Sequence, residues 1–148
     1  MFKVNKMTDY ATVILIEMAR TGAVESTQRI AAHTGIPLPT VAKILKSLVR
    51  ADLVASHRGV TGGYALGRPA ADISVADVIQ AIEGPVRVTA CSSDEAACEQ
   101  YAKCNVRDPL ARVRERILAA LGECTVAELA ADVPRIPTTQ AAVLHTYV

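Results

Sequence analysis

Tryptophan is absent from this 148-residue chain, phenylalanine occurs once and tyrosine four times. The core therefore has to be aliphatic, and no aromatic platform exists on which single-stranded bases would stack. No apolar run near the start is long enough to cross a bilayer, which takes about 18 residues or more; the run over residues 10–16 stops at Glu17. The opening Met1-Phe2-Lys3-Val4-Asn5-Lys6 lacks the apolar stretch of a signal peptide. Those absences make the cytoplasm the expected compartment, without a membrane partner, where thiols stay reduced and disulfide frameworks are not expected. The chain also has no G-x-x-x-x-G-K-[ST] loop, no H-E-x-x-H and no C-x-x-C, which removes the usual signatures of nucleotide hydrolysis, zinc proteolysis and thiol exchange. Ser92 and Ser93 have no neighbouring base motif, and Asp94, Glu95 and Glu99 read as solvation of a loop, so no enzyme is expected.

What is present is divided unevenly. Hydrophobic residues make up 51% of the chain, enough for one domain with a real core or for a small domain plus an oligomerisation arm. The formal net charge is only +1, yet residues 1–68 carry nine Lys or Arg against four acids and residues 69–148 carry seven against eleven. A +5 half beside a −4 half is what polyanion binding by one lobe predicts, although the count alone does not select DNA.

The basic half reads as short helices followed by a hairpin. Thr8 or Asp9 is the expected cap of a first helix with Ala11, Ile14, Leu15 and Met18 at helical spacing and Gly22 closing it. Ser26 starts a second helix over residues 28–33, ended by Gly35. Ile36-Pro37-Leu38-Pro39 fits a turn, with Pro39 tolerated in the first turn of a third helix over residues 40–51. This is helix-turn-helix spacing. In the third helix Val41, Ile44, Leu45 and Leu48 face inward, leaving Thr40, Lys43, Lys46, Ser47 and Arg50 outside, either as a solvated basic face or partly as a surface for a major groove. Leu53-Val54-Ala55-Ser56-His57 and Tyr64-Ala65-Leu66 read as strands joined by Gly59-Val60-Thr61-Gly62-Gly63, a hairpin whose tip carries Arg58. As a wing, it would bring backbone close to phosphates and a guanidinium to the minor groove; the alternative is a structural hairpin with an exposed arginine. The fold class is thus mainly α with a small β-hairpin wing, a winged helix-turn-helix followed by a long dimerisation helix.

Three cysteines, Cys91, Cys98 and Cys104, lie along one polar stretch after this unit. Their C-x6-C-x5-C spacing is wider than the knuckles that grip zinc tetrahedrally, and no second close pair completes four ligands. Wider spacing suits an iron-sulfur cluster, whose iron atoms each take their own thiolate. Unliganded surface cysteines, or one disulfide with a thiol left over, remain open on spacing alone, and Cys124 reads as a small buried hydrophobe. From Asp108-Pro109 a helix carries Leu110, Val113, Ile117, Leu118 and Leu121 as one stripe, longer than a wing domain needs for its own core. Pairing that stripe with a second copy would make a homodimer and set two reading helices about 34 Å apart on a palindromic double-stranded operator. Thr125-Val126-Ala127-Glu128 is a capping box for a last helix to Asp132. The expected organisation is a winged helix-turn-helix over 1–84, a cluster-binding loop over 85–107, the dimerisation and last helices over 108–132, and a flexible tail over 133–148.

Several of these stretches carry a family likeness. Lys6-Met7-Thr8-Asp9-Tyr10-Ala11, Gly35-Ile36-Pro37-Leu38, the wing Arg58-Gly59-Val60-Thr61-Gly62-Gly63-Tyr64-Ala65-Leu66, Ile73-Ser74-Val75-Ala76-Asp77-Val78-Ile79 and Ile82-Glu83-Gly84-Pro85 lead up to the three cysteines. Over about residues 1–130 the chain resembles the Rrf-two family of bacterial winged-helix repressors, the group of IscR-, NsrR- and SufR-like regulators. Leu38-Pro39-Thr40-Val41-Ala42-Lys43 and Ser56-His57-Arg58-Gly59-Val60 are similar to the subgroup controlling iron-sulfur assembly. The resemblance implies a DNA-binding homodimer with a [2Fe-2S] or [4Fe-4S] cluster on Cys91, Cys98 and Cys104, regulating cluster-assembly genes. The alternatives are a nitric-oxide or redox sensor of the same fold, or a thiol carrier that does not bind DNA. DNA contacts are expected from Ser26, Gln28, Pro39, Thr40, Lys43 and Lys46 in the helices. In the wing they are expected from His57, Arg58, Gly59, Thr61, Gly62 and Tyr64. Where one branch of the family has a histidine three residues after the last cysteine, this chain has Arg107. The resemblance then makes Asp9 of the partner subunit the first candidate for a fourth ligand and His33 the second; read without it, Asp9 is a helix-start acid and His33 a helix-end cap.

Overall fold

The computed structural model describes residues 4–87, 99 and 101–134. Among these residues six α-helices and one two-stranded antiparallel sheet follow in the order α1 (Lys6–Thr21), α2 (Thr27–Thr34), α3 (Leu38–Arg50), β1 (Val54–His57), β2 (Gly63–Leu66), α4 (Val75–Glu83), α5 (Arg107–Glu123) and α6 (Val126–Asp132). The fold class matches the expectation from sequence.

Each boundary has a local cause. The α1 cap is Asn5, whose side chain accepts the Met7 N–H; the expected cap at Thr8 or Asp9 lies inside the helix. Thr8 is instead buried, and its hydroxyl donates to Glu83 Oε1 at 2.5 Å, while the same oxygen accepts the Asn5 N–H at 2.8 Å. The cap was displaced because Asn5 satisfies the orphan N–H groups one turn earlier. Gly22 ends α1 in the left-handed conformation. Ser26 caps α2 by accepting from the Arg29 N–H, and Gly35 closes it. Helix α3 starts two residues before the expected position, with Pro39 in its first turn, where a missing N–H costs nothing.

The aliphatic core is built on α1, α2 and α3. Ala11, Ile14, Leu15 and Met18 of α1 meet Ile30 of α2 and Val41, Ile44, Leu45 and Leu48 of α3, closed by Leu53, Val54, Ile73 and Val78. Helix α6 joins this core: Val126 is fully buried within it, and α6 packs along α1. A single antiparallel bridge, Ser74 with Thr125, fixes that return through Val75 N–H to Cys124 O at 2.9 Å and Val126 N–H to Ile73 O at 2.8 Å. Arg20 of α1 then donates to the Ala130 and Val133 carbonyls at the end of α6. Cys124, expected inside, is exposed, because the inward position at this junction is taken by Val126 two residues on.

Helix α5 differs in kind. None of its residues is buried within one chain; Val113 is exposed, and Leu110, Ile117, Leu118 and Leu121 are half-buried. It leans on α4, and the Arg114 Nε–H reaches the Val86 carbonyl at 3.4 Å. No described helix is long and apolar enough to cross a membrane.

Candidate nucleic-acid interface and cysteine segment

Helix α3 packs Val41, Ile44, Leu45 and Leu48 inward, so the 3.6-residue period turns Lys43 and Lys46 to solvent. Pro39 is exposed and Thr40 half-buried at the start of the helix. Of the two α2 candidates, Gln28 is exposed, and the Ser26 hydroxyl is engaged as the helix cap.

The hairpin follows α3 at once, tied by the Leu53 N–H to the Leu48 carbonyl. Its register pairs Val54 with Leu66, Ala55 with Ala65, Ser56 with Tyr64 and His57 with Gly63. His57, Arg58, Gly59, Val60 and Thr61 are all exposed at the tip. The turn demands glycine at close quarters: a Cβ on Gly62 would stand 2.4 Å from the His57 carbonyl oxygen. Arg58 makes no hydrogen bond or ion pair with a described residue, so its guanidinium is available to a partner.

A second contact anchors the wing and was not legible in the sequence. Tyr64 bridges back to Glu25, the residue before the α2 cap, through N–H to carbonyl bonds of 2.8 and 2.9 Å in the two directions. The Glu25 side chain is 3% exposed and is met by Thr21 Oγ1 at 3.3 Å, His33 Nδ1 at 3.6 Å and Arg29 Nε at 3.7 Å. His33 Nδ1 also lies 3.3 Å from Glu17 Oε1 on α1. The histidine expected as a helix-end cap or a ligand is therefore set between two carboxylates, from α1 and from the α1–α2 turn. Glu17 stands sixteen residues before His33, so no local signal links them. Asp9, by contrast, is exposed in the first turn of α1, and its carboxylate makes no hydrogen bond or ion pair with a described residue.

Cys91 and Cys98 lie outside the described residues. Cys104 is a free, half-buried thiol between a 3-10 turn over Tyr101–Lys103 and the start of α5. Among the described residues no group of three or more His, Cys, Asp or Glu could hold a metal. The donor set fits an iron-sulfur group in its chemistry: three soft thiolates with a carboxylate or imidazole candidate elsewhere.

Comparison with known proteins agrees with this geometry. The family model Rrf2, described as an iron-dependent transcriptional regulator, matches residues 4–132. A relative named as an HTH-type transcriptional regulator of Mycobacterium tuberculosis (strain CDC 1551 / Oshkosh) is 40% identical over 86 residues, 57% of this chain and 53% of that protein. The match thus spans about half the length of that relative. An HTH-type, rrf2-like regulator of Rhodobacter capsulatus is 31% identical over 132 residues, 82% of this chain and 88% of the relative. Among solved structures, CymR (YrzC), the global cysteine regulator of B. subtilis, aligns with a TM-score of 0.69 at 27% identity over 90% of this chain and 100% of its own. T. potens IscR aligns at 0.66 with 26% identity, covering 88% of each chain. The chain belongs to the Rrf2 family of transcriptional regulators.

Proposed function

We propose that the chain is a homodimeric repressor that reads a palindromic operator with α3 and the wing, under the control of an iron-sulfur cluster on Cys91, Cys98 and Cys104. Cluster-assembly genes are its proposed targets. The observation that carries the DNA reading is the pairing of exposed Lys43 and Lys46 on α3 with a glycine-built wing that presents Arg58, all within the +5 half. The open stripe of α5 supports pairing with a second copy, since none of its apolar residues is buried by the chain alone. The cluster reading rests on the three thiols and on the iron dependence in the family description. When bound, the cluster would supply a redox- and supply-sensitive group. Its protein ligands would tie the segment leaving α4 to the start of α5, and any switch requires the two ligation states to differ in the dimer geometry they favour.

DNA titrations by fluorescence anisotropy at several salt concentrations test the docking. Arg58→Ala is expected to cost about 1 to 3 kcal/mol on the operator and less on random duplex, as a minor-groove reader should. Lys46→Ala is expected to weaken both duplexes about equally and to flatten the salt dependence by roughly one unit of slope, as a phosphate contact should. Unchanged binding in both variants on a confirmed operator would remove α3 and the wing from the interface.

For the fourth ligand, the free carboxylate of Asp9 favours that residue. His33 stays second: its Nδ1 faces two carboxylates, an orientation that leaves the Nε2 lone pair for a metal and is common for ligating histidines. Asp9→Ala is expected to change the visible spectrum of the cluster with the dimer intact, and His33→Ala to leave it unchanged. The opposite ranking transfers the role to His33.

A second reading is favoured by the likeness to a global cysteine regulator. In it the chain binds DNA as above, and its signal is a sulfur metabolite rather than a cluster. Colourless, iron-free protein that binds the operator tightly after anaerobic isolation would select this reading.

A further inference from the structure

We propose that the cleft between the end of α3, the open end of the hairpin and α4 binds a small organic oxyanion, a carboxylate or phosphate ester of metabolite size. The cavity measures about 350 Å³, within the range of small-molecule sites, roughly 300 to 1,000 Å³. Ser47 and Arg50 come to it from α3, Leu53 and Arg68 from the two ends of the hairpin, and Asp77 and Gln80 from α4.

Its polar groups are mostly unspent donors. Asp77, the one carboxylate, is engaged through Oδ2, which accepts the Ser74 N–H and hydroxyl at 2.9 Å each and pairs with Arg68 Nη2 at 3.2 Å. A guanidinium carries five N–H donors, so this one pair leaves most of the capacity of Arg68 unused. The Arg50 guanidinium makes no hydrogen bond or ion pair with a described residue, and Gln80 is exposed. Two guanidiniums against one carboxylate leave a surplus positive charge and a surplus of donors, which an oxyanion complements and a cation or an apolar ligand does not. The C-terminal end of α3 works against an anion, but three of its last carbonyls are taken up by turn N–H groups: Ser47 O by Ala51, Val49 O by Asp52 and Leu48 O by Leu53.

The cleft shares Ser47 and Arg50 with the last turn of the outer face of α3 but lies apart from Lys43, Lys46 and the wing tip. Leu53 and Arg68 flank the open end of the hairpin, whereas Arg58 to Gly62 form the opposite tip, about 13 Å away along four-residue strands. An occupant would touch both the reading helix and α4, whose end leads into the cysteine segment. The inference depends on neither the DNA docking nor the cluster, so its failure would leave both untouched.

The test is NMR of the reduced full-length chain, labelled with 15N and titrated with inorganic phosphate or with succinate at fixed ionic strength against chloride. Saturable shifts are expected at residues 47–53 and at the Gln80 side-chain amide. Saturation by phosphate alone assigns the phosphate-ester class, by succinate alone the carboxylate class, and by both the shared oxyanion. Arg50→Gln is expected to weaken binding about tenfold through loss of a charge-assisted bond. Gln80→Glu, a change at an exposed helix position that keeps the fold, is expected to abolish it by repulsion. The proposal is overturned if neither anion saturates, if the shifts fall instead on Lys46 and Arg58, or if both variants bind like the unaltered chain.

Discussion

Cys104→Ala is expected to yield colourless protein where the unaltered chain, isolated anaerobically, is brown, with iron and acid-labile sulfide falling to background. Cys91→Ala and Cys98→Ala are expected to do the same, and Cys124→Ala to keep the colour. The effect is all-or-none because two thiolates and one weaker ligand do not hold a cluster against exchange with solvent. The chain should stay folded, since Cys104 is half-buried at the edge of α5 and takes no part in the core around Ile14, Leu45 and Leu48. Cys124 is the internal control: exposed and free, it sits at the α5–α6 junction, where its backbone carbonyl, not its thiol, makes the structural bond. A colourless unaltered chain containing one zinc per chain would refute the cluster.

Gly63→Ala is the second large effect, expected on stability rather than on the cofactor. A Cβ there would lie 2.4 Å from the Glu25 carbonyl oxygen and 3.0 Å from the Ser26 nitrogen, both backbone atoms. The added carbon has to push the hairpin off the α2 start, straining two bridge hydrogen bonds worth about 1 kcal/mol each and adding overpacking of about 1 to 3 kcal/mol. Urea denaturation should show a loss of about 3 to 5 kcal/mol with little change in m-value. Gly22→Ala provides the contrast. Nothing lies within 4 Å of its added Cβ, so only the left-handed backbone is penalised, at about 1 to 2 kcal/mol. Equal losses at both sites would mean that the wing is not braced against Glu25.

The features legible in the sequence are those whose cause is local. The inward set of α3 was readable because Val41, Ile44, Leu45 and Leu48 recur at helical spacing, and Gly22, Gly35 and Ser26 mark helix ends by chemistry that acts within four residues. The hairpin was readable because its glycines sit between two short apolar runs. What escaped was paired across distance. The Glu25–Tyr64 and Ser74–Thr125 bridges involve one residue on each side and leave no alternation to detect. Asn5 caps α1 one turn earlier, and Glu83, seventy-five residues further on, claims the Thr8 hydroxyl that the sequence offered as the cap. The site divides along the same line. Lys43, Lys46 and Arg58 were legible from helix period and turn chemistry, and the cysteine pattern from spacing, whereas the carboxylates around His33 come from parts of the chain that only folding brings together. Cys91 and Cys98, which the cluster reading most needs, lie outside the described residues.

The return of α6 to α1 sets the order in which the molecule can be made. Arg20 meets carbonyls 110 and 113 residues further along the chain, and Val126 fills a core begun by Ala11 and Ile14. Such contacts raise the contact order of an otherwise helical protein and should slow its folding relative to a simple bundle. On a ribosome adding about 5 to 20 residues per second, the apolar face of α1 waits on the order of 10 s for its last partner to be synthesised. The lobe that starts with α1 thus has its core closed only once α6 has been made, and during that interval the apolar face of α1 lacks its Val126 partner.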